Sequence, residues 1–115
     1  MISLEGKTIL ITGASSGIGK ATALLCAKLS ARCVITGRDT ERLDSVLQSL
    51  EGEGHQSIPT DFSEQDGIDV LVNGCSNLDG IVHCAGMIQL MPYRSISTKS
   101  FEKIMKLNLY APFFI

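Results

Sequence analysis

At 115 residues the chain is long enough for one folded domain and too short for two. Hydrophobic residues make up 44% and charged residues 19%, and the net charge of −2 argues against a general nucleic-acid binder, which would carry a basic surface. No apolar run approaches the ~18 residues that cross a membrane, and the N-terminus lacks the features of a secretory signal, so we expect a cytoplasmic protein with no nucleic-acid or membrane partner.

Strand-like and helix-like segments alternate along the chain, which is the pattern of a parallel sheet with crossover helices. The third strand contains Pro59, which favours an edge position because proline cannot donate to a neighbouring strand. No linker or charge run divides the chain, so residues 1–115 are predicted to form a single domain. The predicted strands cover 7–12, 32–37, 55–61 and 78–86.

Helical periodicity is seen in the segments between these strands. In the first helix the apolar positions are Ile18, Ala21, Leu24, Leu25 and Leu29. The predicted helices cover 17–30, 40–51, 64–74 and a long segment that starts near Ser97 or Thr98 and is broken by Pro112.

The motif TGASSGIG joins the first strand directly to the first helix. A helix N-terminus offers unpaired N–H groups and a positive dipole end, so it attracts an anion. Gly13 permits the sharp turn, Gly17 leaves space for a phosphate beside the backbone, and Gly19 lets the helix lie close to the strand. Ser15 and Ser16 add hydroxyl donors at the same rim. The sequence therefore predicts a pyrophosphate site here.

Two other interpretations of this turn are an ordinary strand–helix connection and the P-loop of NTPases. Gly19-Lys20 resembles the Gly-Lys pair of a P-loop. That motif needs a glycine five residues before its second glycine and Ser or Thr after its lysine, and here those places hold Ala14 and Ala21. The P-loop interpretation therefore fails at two positions.

The segment 12–19 resembles the T-G-x-x-x-G-I-G turn of the short-chain dehydrogenase/reductase family, and further matches follow in the family's order. Asp61 and Phe62 fall where relatives place an acid and an apolar residue against the adenine. HCAG at 83–86 occupies the place of the N-N-A-G signature, and Asn108 matches the asparagine on the family's fourth long helix. The resemblance implies a doubly wound α/β Rossmann-type sheet of strand order 3-2-1-4, incomplete on its C-terminal side.

The resemblance also implies which residues bind the dinucleotide cofactor. Cys84 and His83 depart from the family's asparagines, and we expect His83 to be a core-facing structural residue. Asn108 is the catalytic candidate. The candidate cofactor-binding residues are Gly13, Ser15, Ser16, Gly17, Ile18, Gly19, Arg38, Asp61, Phe62, Cys84, Ala85 and Gly86.

The end of the second strand indicates which nicotinamide cofactor is bound. NAD sites usually offer a carboxylate there to the ribose 2′-OH, whereas this chain has Gly37 followed by Arg38. A guanidinium pairs well with a phosphate, so we expect NADP(H), with Ser15 as a second donor. Asp39 would put a carboxylate near the ribose if the alignment shifted by one residue, but we interpret it as an N-cap or first-turn residue of the second helix. Arg38 as a plain surface arginine is the alternative.

Catalysis in this family uses a serine and a Y-x-x-x-K pair, all C-terminal to the asparagine. Tyr93 is followed four places later by Ser97, and Tyr110 by Phe114, so neither belongs to such a pair. The resemblance implies an NADP(H)-dependent oxidoreductase that transfers hydride between nicotinamide and a small-molecule carbonyl or alcohol, with a 3-oxoacyl thioester as the first candidate. We expect this chain, ending before the serine and the Y-x-x-x-K pair, to bind nucleotide without turnover.

Two other functional classes stay open, a noncatalytic NADP(H)-sensing module and an assembly subunit. We expect a homo-oligomer, because the family's fourth long helix commonly forms a dimer contact. The fourth strand would lie at an open edge, so we also expect the chain to be marginally stable, self-associating or dependent on a complementing piece.

The cysteines and histidines are not spaced as a metal site. The chain has no C-x-x-C pair and only two histidines, so zinc is not expected and the thiols are predicted to be reduced. The four cysteines are Cys26, Cys33, Cys75 and Cys84.

Overall fold

The computed structural model describes residues 2–62, 64, 66–75, 77–86, 92–110 and 112. Strands and helices alternate as the sequence predicts. The strands are β1 (Thr8–Thr12), β2 (Arg32–Gly37), β3 (Gln56–Pro59) and β4 (Gly80–His83). The helices are α1 (Gly17–Lys28), α2 (Thr40–Ser49), α3 (Gly67–Gly74) and α4 (Thr98–Met105), with a 3₁₀ turn at Tyr93–Ser95 and a π-helical turn at Lys106–Tyr110.

All described strands lie in one parallel sheet of order β3-β2-β1-β4. The predicted order 3-2-1-4 and the α/β Rossmann-type class are confirmed, and Pro59 lies in an edge strand as expected. Ile11 is in register with Ile35 of β2 and with Val82 of β4, so the carboxyl ends of β1, β2 and β4 meet at one edge. In an open parallel sheet that edge, where the strand order reverses, is where ligands bind.

Buried apolar side chains cover both faces of the sheet. On one face, Ile11, Cys33 and Ile35 pack under α1 and α2. On the other face, the buried cluster is Leu10, Val34, Phe62, Leu71 and Leu107. The sheet is therefore the central layer, as a doubly wound fold requires.

Helix α1 packs through a stripe of small residues. Its buried residues are Gly19, Ala23 and Ala27, whereas Ile18 and Leu25 are 79% and 57% exposed. Small side chains at i, i+4 and i+8 let the helix approach the sheet closely. The large apolar residues that predicted this helix are therefore not the ones that bury its face against the sheet.

The helix starts follow from capping. Asp39 caps α2 by accepting a hydrogen bond from the Arg42 N–H at 3.1 Å, as predicted. Ser97 caps α4 by accepting from the Ser100 N–H at 3.1 Å. The third helix begins at Gly67 rather than at 64, and the predicted break at Pro112 falls next to residues outside the described part.

His83 does not face the core, and that prediction is wrong. Along β4, Gly80 and Val82 are half-buried while Ile81 and His83 are exposed. Of the two faces of this edge strand, the one that carries Ile81 and His83 is the more exposed within the described residues. Partial burial still lowers the pKa of the His83 imidazole.

Each of the four cysteines is a free thiol, and Cys33 is fully buried. Burial raises the pKa of the Cys33 thiol to about 11, with a smaller contribution from Cys26. The described residues contain no cluster of His, Cys, Asp and Glu that could hold a metal ion. Within the same part of the chain, no helix has the length and apolarity needed to span a membrane.

Candidate functional site

A cavity of about 340 Å³ lies at the carboxyl edge of the sheet, between the ends of β1, β2 and β4. Its volume is within the range of roughly 300–1,000 Å³ for ligand sites. Of the thirteen predicted site residues, eleven line it, and Asp61 and Asn108 lie beside residues that do. The described lining residues are Gly13, Ser15, Ser16, Gly17, Ile18, Gly19, Gly37, Arg38, Thr60, Phe62, Cys84, Ala85, Gly86 and Leu107.

The glycine turn forms the floor of this cavity. Gly13 has φ +64°, and a Cβ there would lie 2.6 Å from the Ala85 backbone nitrogen. A Cβ at Gly19 would overlap the carbonyl oxygen of Gly13. Both positions therefore require glycine, Gly13 for the turn and for contact with the end of β4, and Gly19 for contact between α1 and β1.

Gly17 is different, because its Cβ would meet no protein atom within 4 Å. Its φ is +57°, and it is the first residue of α1. The N-cap residue Ser16 makes no side-chain capping bond, and the first turn contains no acidic residue. The N-terminal N–H groups of α1 thus adjoin open space, which fits a phosphate group at this point.

Thr12 holds the end of β4 against the turn. Its Oγ1 accepts hydrogen bonds from the Cys84 N–H at 3.1 Å and from the Ala85 N–H at 3.2 Å. Thr12 is fully buried. Sequence reasoning did not single it out, although its place immediately before Gly13 was the available signal.

The ribose corner lies between the end of β2 and the turn. A Cβ at Gly37 would lie 3.2 Å from the Ser15 Oγ, so the Ser15 hydroxyl is close to that strand end. Arg38 is exposed and lines the cavity, and it makes no ion pair with another described residue. The corner therefore presents a hydroxyl and a free guanidinium.

On the side expected to hold the adenine, Thr60 and Phe62 line the cavity, with Asp61 between them in the chain. Phe62 is only 4% exposed, because most of its ring packs into the cluster beneath the sheet. A Cβ at Gly67 would overlap the Asp61 carbonyl oxygen, so the start of α3 lies directly against this loop. Thr60 is a lining residue that the sequence analysis did not name.

Asn108 lies beside the cavity, in the π-helical turn that follows α4. A Cβ at Gly86 would be 3.1 Å from the Asn108 Oδ1, which places the amide beside the end of the HCAG segment. Leu107, the preceding residue, is buried and lines the cavity. Single π-turns within helices are often found at functional sites.

A second cavity, of about 400 Å³, lies at the other end of the sheet near the starts of β1 and β2. Lys28, Arg32, Glu51 and Glu53 are among its described lining residues, so its charges are mixed. None of the thirteen predicted site residues lines it. The carboxyl edge is therefore the candidate functional site.

Comparison with known proteins gives the same family. A family model described as short chain dehydrogenase matches residues 7–115. The chain is 36% identical over all of its 115 residues to a 3-oxoacyl-(acyl-carrier-protein) reductase of Rickettsia prowazekii, of which it covers 47%. It is 32% identical over 121 aligned positions to the gluconate 5-dehydrogenase of Gluconobacter oxydans, covering 100% of this chain and 47% of that protein.

Solved structures are similar at the level of the whole chain. One short chain dehydrogenase/reductase family protein superposes with a TM-score of 0.90 at 30% identity, over 97% of this chain and 47% of that one. Pseudomonas aeruginosa RhlG, solved as an NADP active-site complex, gives 0.83 at 32% identity, over 98% of this chain and 46% of that one. The chain spans about half the length of the curated relatives it matches. By sequence, sheet order and structural similarity, it belongs to the short-chain dehydrogenase/reductase family.

Proposed function

We propose that this chain is the cofactor-binding portion of an NADP(H)-dependent oxidoreductase. The observation that carries the proposal is the glycine turn, where the N-terminal N–H groups of α1 adjoin open space at Gly17. The diphosphate of a dinucleotide would accept hydrogen bonds from these groups and from Ser15 and Ser16. The bound cofactor supplies hydride exchange between its nicotinamide and a carbonyl or alcohol carbon.

The NADP(H) part of the proposal rests on the ribose corner. Gly37 leaves no carboxylate at the end of β2, and Arg38 has no ion-pair partner among the described residues. A guanidinium there would form two charge-assisted hydrogen bonds with a 2′-phosphate. A solved relative described as an NADP complex, RhlG, supports this choice of cofactor.

Asn108 would act at the nicotinamide end, because its amide lies beside Gly86. In the chain of 115 residues, no tyrosine is followed by a lysine four places later. We therefore propose that this polypeptide alone binds nucleotide without turnover. The substrate of the whole enzyme is proposed to be a small carbonyl or alcohol compound, with a 3-oxoacyl thioester first, since a relative at 36% identity is named for that reaction.

The test is isothermal titration calorimetry of NADPH and NADH with the wild type, Arg38→Ala and Arg32→Ala. Arg32 is a matched control because it begins β2 at the far end of the sheet, whereas Arg38 follows its last residue. We expect Arg38→Ala to lose roughly 10-fold or more in NADPH affinity with little change for NADH. The control should change neither affinity. Equal loss for both nucleotides, or no loss at all, would contradict the role of Arg38.

A further inference from the structure

Asp39 is the residue that could reverse the cofactor preference, and its carboxylate is occupied on both oxygens. Oδ1 accepts the backbone N–H of Arg42 at 3.1 Å, and Oδ2 lies 3.4 Å from the Arg42 Nε. Both contacts come from one residue, a turn further along α2. The Asp39 carboxylate is thus held by a single arginine.

The position of Asp39 makes this contact important for the cofactor. It lies two residues after Gly37, next to Arg38. A free carboxylate at the end of the second strand accepts the ribose 2′-OH of NAD and repels a 2′-phosphate. A carboxylate whose charge is offset by an adjacent guanidinium binds the 2′-OH less strongly and repels the 2′-phosphate less strongly.

Arg42 also lies beside the cofactor cavity. With Ser15, Ser16 and Lys20 it lines a cleft of about 320 Å³ between the N-terminal ends of α1 and α2. This cleft shares Ser15, Ser16 and Gly17 with the cofactor cavity, so the two adjoin at the glycine turn. None of the described residues that line the cleft is acidic.

The guanidinium of Arg42 has N–H donors that the Asp39 contact does not use. Its Nε contacts Asp39, while its terminal nitrogens have no hydrogen-bond partner among the described residues. An arginine carries five N–H donors in a fixed planar fork, so one edge can hold a carboxylate while the other binds a phosphate. Lys20 adds a second positive charge at the same cleft.

We propose that Arg42 is a second determinant of cofactor specificity, in addition to Arg38. It masks Asp39 and presents its terminal nitrogens to the 2′-phosphate, so the corner selects NADP(H) although an acid is present. The inference rests on the proposed function, because it needs a dinucleotide in the cavity. Arg42 and Asp39 would therefore affect the preference for NADP(H) together, because Arg42 offsets the charge of Asp39.

The experiment is a double-mutant cycle of Arg42→Ala and Asp39→Asn, with NADPH and NADH affinities measured by isothermal titration calorimetry. Asparagine keeps the N-cap of α2 while removing the charge, and Arg32→Ala is again the matched control. We expect Arg42→Ala to lower NADPH affinity by up to ~5-fold, since an exposed charge contact contributes up to about that factor. NADH affinity should stay the same or rise. Adding Asp39→Asn should restore part of the NADPH affinity.

The outcomes separate this inference from the proposed function. If the wild type binds neither nucleotide, the proposed function fails and this inference fails with it. If the wild type prefers NADPH and Arg38→Ala removes that preference while Arg42→Ala leaves it intact, this inference alone is overturned. Equal losses of NADPH and NADH affinity in Arg42→Ala would also overturn it. Thermal melts followed by circular dichroism should show the same midpoint for all variants, because the pair is exposed.

Discussion

Thr12 and Thr36 are both fully buried near the carboxyl ends of adjacent strands, yet their hydroxyls are in opposite situations. The Thr12 Oγ1 accepts two backbone N–H groups from the end of β4. The Thr36 Oγ1 has no hydrogen-bond partner among the described residues. The Thr12 hydroxyl therefore holds a wall of the cofactor cavity in place, whereas burial of the Thr36 hydroxyl without a partner destabilises the fold.

Substituting each threonine by valine tests this contrast at the scale of a single residue. We expect Thr12→Val to destabilise the fold by about 1–3 kcal/mol and to weaken NADPH binding, because the part-buried Ala85 N–H loses its acceptor, while the Cys84 N–H keeps only the Thr12 carbonyl oxygen. Thr36→Val should be neutral or stabilise by up to about 1 kcal/mol. Urea denaturation measures both. Equal destabilisation by the two variants would show that the Thr12 hydrogen bonds do not hold the end of β4.

The roles of some single residues could be predicted from the sequence, and those of others could not. The roles of Gly13 and Gly19 were predicted because a motif fixes both their spacing and their place between strand and helix. Thr12 was missed because its partners, Cys84 and Ala85, lie 72 and 73 residues away in the chain. Contacts at that separation have no local signature. His83 was misassigned because strand alternation gives two faces without saying which of them an edge strand leaves uncovered.

At the scale of the element, periodicity predicted the place of helix α1 but not the face that packs against the sheet. Periodicity weights large apolar residues, and here the face against the sheet is Gly19, Ala23 and Ala27. The close approach is set by Gly19, whose missing Cβ leaves room for the Gly13 carbonyl. Backbone proximity, rather than side-chain volume, decides which stripe of α1 is buried.

Substituting alanine for each of two glycines in α1 distinguishes the effect on packing from the effect on nucleotide binding. Gly19→Ala should destabilise by about 1–3 kcal/mol or more, because the new Cβ overlaps backbone that cannot yield easily. Gly17→Ala should lower the free energy of unfolding by only about 1 kcal/mol, because alanine disfavours the positive φ. It should nevertheless weaken NADPH binding more than Gly19→Ala does, when both affinities are measured on folded protein. Thermal unfolding and calorimetry measure the two effects. Full NADPH affinity in Gly17→Ala would count against a phosphate at this point.

For the whole molecule, the order of the strands could be predicted from the sequence, but which parts of the sheet stay exposed could not. Among the described residues β4 pairs with β1 alone, so within this part of the chain its other edge carries unpaired backbone groups. Ile81 in β4 is 41% exposed, so this edge strand carries an exposed apolar side chain. Such an edge favours pairing with another chain.

We therefore predict that the chain self-associates in a concentration-dependent way. A lysine at position 81 should reduce this, because a charge on an edge strand opposes edge-to-edge pairing. Sedimentation velocity across a range of protein concentrations measures the effect for the wild type and Ile81→Lys, with Ile2→Lys as an exposed control outside the sheet. A wild-type chain that sediments as a monomer at every concentration would contradict the prediction.

The central claim is that the glycine turn at the carboxyl edge of the sheet binds the diphosphate of a nicotinamide dinucleotide. Titration of the ¹⁵N-labelled chain with NADPH, followed residue by residue in amide NMR spectra, tests it most directly. The account predicts the largest shifts at Ser15–Gly19, with further shifts at Arg38 and at Ala85 and Gly86. Shifts confined to Lys28, Arg32 and Glu53 at the other end of the sheet, or none at saturating NADPH, would contradict it.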